Sequence, residues 1–108
     1  MPYNIPVEAT LDVIGGKWKV VIMCHLIKDE RRTSELRKLM PNITQKMLTQ
    51  QLRELEADGV VVRTVYEQVP PKVIYSLSEY GWSLKPILDA MCAWGECHID
   101  QSGEEVIS

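Results

Sequence analysis

Polar side chains that can contact nucleic acid recur on one face of a single predicted helix, in the segment NITQKMLTQQLRELEADG (42–59). They are Gln45, Lys46, Thr49, Gln50 and Arg53. Glutamine can form a paired hydrogen bond with adenine, lysine can donate to guanine, and the threonine methyl can contact thymine. No carboxylate interrupts the first turns of this face before Glu54, which is unusual for a plain surface helix. The pattern predicts a DNA-recognition helix.

The signals that would form and end this helix are also present. Its other face is apolar at helical spacing, through Met47, Leu48, Leu52 and Leu55. Thr44 is the predicted N-cap, because its hydroxyl can accept a backbone N–H of the first turn. Gly59 stands where the chain must leave through a left-handed residue. We therefore expect a recognition helix over about residues 44–58.

Three shorter helices are predicted before it. The first spans Pro6–Ile14 and is broken by Gly15-Gly16, and the second spans Lys17–Ile27 and is nearly apolar all round, which is typical of a core helix. The third begins at an N-cap, Thr33, and stops before Pro41. A short helix, a tight turn and a longer helix with a polar outer face form a helix-turn-helix pattern. The charged connector between the second and third helices could end in a short strand, which the sequence does not settle.

A β-hairpin is predicted directly after the recognition helix. Residues 60–66 and 73–77 are rich in β-branched and aromatic side chains, and Pro70-Pro71 between them cannot continue a ladder. We expect these strands to form a wing over about residues 60–77. Arg63 and Lys72 could reach phosphates or a minor groove from it; the less favoured alternative for Arg63 is a solvated hairpin edge.

The last predicted helix covers about residues 83–101, with Pro86 tolerated in its first turn. It carries more apolar surface than so small a domain can easily bury alone, through Leu84, Ile87, Leu88, Met91, Cys92 and Trp94. Such an excess usually packs on another chain. Burial against the second helix is the alternative.

Composition narrows the class of protein. The 108 residues fit a single domain, 1–108, and 45% hydrophobic content argues against disorder. The net charge of −3 hides an asymmetry: residues 17–72 carry eleven basic against seven acidic side chains, whereas residues 79–108 carry one against six. A basic middle suggests that one face approaches a polyanion. No apolar run could span a membrane and the N-terminus lacks signal-peptide order, so we expect a cytoplasmic protein with no membrane partner.

No feature indicates a cofactor, a metal or a catalytic centre. Cys24, Cys92 and Cys97 are an odd number without CxxC spacing, so we expect reduced thiols rather than a zinc site or a disulfide framework. His25 lies within the second helix and is best explained as a partly buried structural histidine. No nucleophile, base and orienting group occur with convincing spacing, so an enzyme is not expected.

Taken in order, these segments resemble the HxlR-type transcriptional regulators of the wider MarR-like winged-helix group. LDVIGGKW, ITQKMLTQQLRELEADG and VPPKVIYSL all occur, and the resemblance covers roughly Pro6 to Trp94. It implies a mainly α fold with a small β-hairpin wing (α+β), in which the N- and C-terminal helices form a homodimer on a two-fold operator. The implied interface residues are Val7, Leu11, Ile14, Leu84, Ile87, Leu88, Met91 and Trp94. A small-molecule effector of unknown identity is also compatible with the family.

One departure concerns sensing. Many family members carry a cysteine immediately before the proline of the first helix, and in several it senses oxidants. This chain has Ile5 there, which cannot form a thiolate, so thiol sensing at that position is excluded. Cys92 and Cys97 are five residues apart on a helix and would lie on different faces.

The hypothesis is therefore a dimeric, sequence-specific regulator that binds double-stranded DNA. The expected DNA contacts come from the recognition helix (Thr44, Gln45, Lys46, Thr49, Gln50 and Arg53) and from basic residues elsewhere (Arg31, Arg32, Lys38, Arg63 and Lys72). The alternative is a winged helix that binds only proteins, supported by the acidic overall balance and the apolar last helix. A protein-binding face would normally present aromatic or leucine anchors, which the recognition face lacks.

Overall fold

A computed structural model describes residues 2–103. Six helices and one hairpin follow in the order α1 (Pro6–Ile14), α2 (Lys19–Lys28), α3 (Thr33–Leu39), α4 (Gln45–Ala57), β1 (Val61–Tyr66), β2 (Lys72–Leu77), α5 (Glu79–Trp82) and α6 (Lys85–Ser102). Helices α3 and α4 form the helix-turn-helix, and β1 and β2 form the wing. The predicted winged helix-turn-helix fold class is confirmed.

One apolar core holds these elements together. Helix α2 lies at its centre, with Ile22 and Met23 fully buried, and α4 contributes Leu48, Leu52 and Leu55, also fully buried. Leu36 of α3 completes this layer. Met47, predicted to face inward with the leucines, is 42% exposed. Because α4 is fixed on its leucine side, its polar face must point outward.

The wing is a regular antiparallel hairpin that packs back on the helices. Its register pairs Val61 with Leu77 at the base and Tyr66 with Lys72 at the tip. Val61 and Leu77 are both buried, whereas the outer part of β1 is exposed. The connector before α3 adds an isolated bridge, in which Arg31 pairs with Tyr75. The short strand left open by the sequence is therefore this single bridge.

Several helix boundaries differ from the sequence-based expectation. Helix α2 begins at Lys19 rather than Lys17, with Trp18 in the cap position. The N-cap position of α3 is occupied by Arg32 rather than by Thr33, and the Arg32 N–H donates to Glu35 Oε1 at 2.8 Å. The side chain of the third helical residue thus satisfies the N-terminus of α3 without a threonine cap.

The chain between the wing and α6 contains a helix that the sequence pattern did not predict. Helix α5 is capped by Ser78, whose Oγ accepts the Gly81 N–H at 2.9 Å, and α6 then begins at Lys85 rather than Ser83. A side chain at Gly81 would collide with the Val60 carbonyl oxygen, since an added Cβ would lie 2.0 Å from it. Glycine thus lets α5 pack tightly against the base of the wing.

Within residues 2–103, none of the helices has the combination of length and hydrophobicity that a membrane-spanning helix needs.

Candidate nucleic-acid interface

The outer face of α4 presents the polar side chains that are predicted from the sequence to contact DNA. Gln45, Lys46, Gln50 and Arg53 are exposed, and Thr49 is half-buried. The side chains come from the first three turns of the helix, which contain no acidic residue before Glu54. The surface therefore offers amide, hydroxyl and cationic groups, the types that contact base edges and phosphates.

The N-terminus of α4 is capped and partly ordered by side-chain hydrogen bonds. Thr44 Oγ1 accepts the Met47 N–H at 3.1 Å, which confirms the predicted cap. One turn further, Gln45 Nε2 donates to Thr49 Oγ1 at 3.3 Å. Gly59, with φ at +78°, takes the left-handed conformation expected after the helix. The positive end of the helix dipole is thus held at an exposed tip, where it favours a nearby phosphate.

A cleft of about 370 Å³ joins α4 to the wing. It brings together Thr49 and Arg53 of α4 with Arg63 of β1, and Glu56 and Tyr75 complete its lining. Two arginines from different elements therefore line one cleft next to the outer face of α4. Guanidinium groups are well suited to phosphate contacts, because each can donate two parallel hydrogen bonds.

Most of the basic side chains on this surface have no acidic partner. Among residues 2–103 the structure contains two ion pairs, Lys19–Glu54 and Lys85–Asp89. Lys46, Arg53 and Arg63 belong to neither, so their charges are available for a polyanion.

The other predicted basic contacts lie in different surroundings. Lys38 is exposed on α3. Arg32 and Lys72 line a second open cleft, where they share the space with three carboxylates, from Asp29, Glu30 and Glu35. Lys72 also lies 5.7 Å from the centre of the Tyr66 ring, its cross-strand neighbour at the wing tip. The three carboxylates of this second cleft outnumber its two basic groups, so it is less favourable for phosphate than the Arg53–Arg63 cleft, where Glu56 is the one carboxylate beside two arginines among the lining residues that the structure describes.

Arg31 has a structural role. Its main chain forms the bridge to Tyr75, and its Nε donates to the His25 carbonyl oxygen at 3.3 Å. These bonds tie the connector to both α2 and the wing. His25 is half-buried beside it, and its pKa is lowered, first by burial and then by the positive charges of Arg31 and Lys28. This environment agrees with a structural histidine.

An ion pair that the sequence pattern did not predict joins α4 to the core helix α2. Lys19 of α2 is buried, and its Nζ lies 2.8 Å from Glu54 Oε1. The other oxygen, Glu54 Oε2, accepts from Gln50 Nε2 at 2.8 Å. The Glu54 pKa is lowered by the hydrogen bonds from Lys19 and Gln50 and by the Lys19 charge, so the carboxylate is held ionised. The spacing of Gln50 and Glu54 was visible in the sequence, but their partner on α2 is 35 residues away.

The residues expected at a dimer interface divide into two groups. Five are large apolar side chains exposed on α1 and α6, namely Val7, Leu11, Ile87, Met91 and Trp94. By contrast, Ile14 and Leu88 are 5% and 0% exposed within the chain itself, and Leu84 is half-buried against the core. The helices present one side inward and the other outward, so Ile14 and Leu88 are core residues here rather than surface ones.

Comparisons with known proteins agree with this geometry. The family described as HxlR-like helix-turn-helix matches residues 13–103. The HTH-type transcriptional regulator YtcD of Bacillus subtilis (strain 168) is 74% identical over 99 residues, which are 92% of this chain and 79% of YtcD.

Two solved structures extend the likeness to the fold. The redox regulator HypR in its reduced form superposes with a TM-score of 0.87 at 57% identity, covering 92% of this chain and 98% of HypR. A transcriptional regulator of the MarR family from Enterococcus faecalis V583 gives 0.79 at 35% identity, over 95% and 94% of the two chains. With its exposed recognition helix and basic cleft, the chain belongs to the HxlR-like helix-turn-helix family and is a DNA-binding transcriptional regulator.

Proposed function

We propose that the chain, with residues 1–108 as one unit, acts as a homodimer that binds a two-fold symmetric operator sequence-specifically. The observation that carries this proposal is the exposed, carboxylate-free start of α4 beside the Arg53–Arg63 cleft. Two such helices in a symmetric dimer enter successive major grooves when they are about 34–36 Å apart. The operator then has two inverted half-sites.

Side-chain chemistry divides the contacts into two kinds. Gln45, Lys46, Thr49 and Gln50 contact base edges, because they lie in the first turns of the helix that enters the groove. Arg53 and Arg63 hold a phosphate from their shared cleft, and Thr44, Arg32, Lys38 and Lys72 contribute weaker contacts at the edges. Arg31 is the weakest candidate of this set, because its Nε already donates to the His25 carbonyl oxygen.

Exposed apolar side chains support the homodimer. Val7 and Leu11 on α1 are 51% and 57% exposed, and Trp94 on α6 is 70% exposed. Large apolar side chains exposed on the first and last helices are poorly solvated by water. A second copy would cover them through an isologous contact, in which the same residues occur on both sides.

HypR is named as a redox regulator, and in this chain residue 5, which precedes the proline of the first helix, is isoleucine and cannot form a thiolate. A thiol response would have to use Cys24, Cys92 or Cys97. Of these, Cys24 is half-buried, and burial together with the neighbouring Cys92 raises its pKa to about 11. A thiol with so high a pKa is a poor nucleophile near neutral pH.

The first experiment is fluorescence anisotropy on DNA from the upstream region of the protein's own gene, against a scrambled duplex, across a salt series. We expect tighter binding to the upstream DNA, by roughly a thousandfold, with affinity that falls as salt rises. Absence of binding to either duplex at low salt would contradict the proposal and favour the alternative of a protein-interaction module.

The division of roles is tested on the same duplexes with single variants. Gln50→Ala should lose about 1–3 kcal/mol of binding free energy on the operator, and little on scrambled DNA. Arg53→Ala should weaken binding to both duplexes alike. It should also reduce the slope of log affinity against log salt concentration by about one. Lys85→Ala on α6 is the control for a lost positive charge away from the recognition face. Equal losses on both duplexes for Gln50→Ala would reject its base contact.

A further inference from the structure

Glu54 lies between a buried lysine and an exposed glutamine of the recognition face. Lys19 is the single charged side chain that is buried within residues 2–103, and it reaches Glu54 from α2. Glu54 in turn accepts a hydrogen bond from Gln50, one turn earlier on α4. Both contacts are 2.8 Å long and use different oxygens of the carboxylate.

The lysine fixes both the charge and the place of Glu54. A buried ammonium group requires a counter-charge, because an unpaired charge away from water is unfavourable. Glu54 is the side chain that supplies it. The carboxylate is therefore ionised and tethered to the core, although its outer part reaches solvent.

The ionised carboxylate determines the orientation of the Gln50 amide. A carboxylate only accepts hydrogen bonds, so the NH₂ group of Gln50, and not its carbonyl oxygen, must face Glu54. This leaves the Gln50 carbonyl oxygen and one remaining N–H for another partner. One acceptor and one donor are what the major-groove edge of adenine matches, through its N6 amino group and N7.

We propose that Glu54 is a positioning residue that sets the sequence preference of Gln50, and that Lys19 anchors it. The inference rests on the proposed function, in which Gln50 contacts a base edge. Without Glu54 the amide can rotate and flip, so it can offer donors or acceptors to other bases as well. Holding one long side chain in a single conformation before binding changes affinity by about three- to tenfold. The effect should therefore appear as discrimination at one base pair.

The test selects bound sequences from a randomised double-stranded DNA library with the full chain, followed by sequencing. The wild type should prefer adenine at one position of each half-site, and Q50A should abolish that preference. E54A should reduce the same preference by about three- to tenfold while leaving the other positions unchanged. D58A is the matched control, because it removes a carboxylate from the exposed C-terminal end of α4 that neither contacts Gln50 nor lines the Arg53–Arg63 cleft; it should retain the preference.

A second variant guards against misfolding. E54A leaves Lys19 buried without its partner, whereas K19M/E54A removes both charges and keeps an unbranched apolar chain in the core. The double variant should fold, as judged by circular dichroism, and show the same reduced preference as E54A.

Three results would overturn the proposal, and they differ from one another. If E54A and K19M/E54A bind all sequences more tightly with unchanged preference, Glu54 merely repels phosphates. If Q50A retains the adenine preference while the protein still selects a sequence, Gln50 is not the residue that Glu54 positions. If the wild type selects no sequence at all, the proposed function fails together with this inference.

Discussion

The Nζ atom of Lys19 lies 2.8 Å from Oε1 of Glu54, and this ion pair joins the core helix α2 to α4, the proposed recognition helix. The lysine end is 9% exposed and the glutamate end 42% exposed, so the pair spans the boundary between core and surface. Its loss should therefore affect stability as well as recognition.

We expect Glu54→Ala to destabilise the fold because it leaves the Lys19 ammonium buried without a counter-charge. The Lys85–Asp89 pair on α6 is the matched control, since both its side chains are about half exposed. Asp89→Ala should lower the free energy of unfolding by less than about 0.5 kcal/mol, as for other surface ion pairs. Urea unfolding followed by circular dichroism measures both losses. Equal losses would show that burial of Lys19 does not matter.

The cap of α4 gives a second prediction. Thr44→Ala removes the oxygen that accepts the Met47 N–H, and should lower the unfolding free energy by about 1 kcal/mol. Thr44→Ser keeps that oxygen and should restore most of the loss. Thermal melts of the three proteins compare them directly. A serine variant as unstable as the alanine variant would argue against the cap.

The exposed apolar surface of α1 gives a third. Leu11→Glu places a charge within the surface that we assign to the homodimer, and should convert dimer to monomer in sedimentation velocity. The affinity for the operator should also fall, because each monomer then binds a single half-site on its own. Val69→Glu, at a fully exposed position in the wing loop, is the control and should remain dimeric. A dimeric Leu11→Glu variant would place the interface elsewhere.

The thiols give a fourth prediction, on pH. The Cys24 pKa is raised to about 11, chiefly by burial and then by the neighbouring Cys92. Because the thiolate is the reactive form, alkylation of Cys24 should be slow at pH 8 and accelerate about tenfold per pH unit below that pKa. The exposed thiols of Cys92 and Cys97 should be modified first. Peptide mass spectrometry measures the alkylation rate at each cysteine. In urea-unfolded protein the three rates should become similar, because the burial of Cys24 is then lost.

The recognition helix was predictable because its signals are local. Thr44, the buried leucines and Gly59 act within a few residues of one another, and each took the predicted role. The wing followed similarly from its β-branched strands. In contrast, α5 has only four residues and one serine cap, too few to show a period.

What depends on packing could not be predicted. The periodicity placed Ile14 and Leu88 on apolar faces, but could not tell whether those faces meet the core or a partner. The side of α4 that contacts Lys19 likewise follows from how α2 and α4 pack, since 35 residues separate the charges. The proposed interface, therefore, rests on exposure and not on pattern alone.

The buried lysine bears on protein engineering. If residues 45–57 were grafted onto another winged scaffold, the glutamines would be transferred, but the cation beneath them would stay behind in α2. Glu54 would then be a mobile negative charge facing DNA. A transplanted helix should thus reproduce the parent's operator choice only when the recipient carries a lysine at the position equivalent to Lys19.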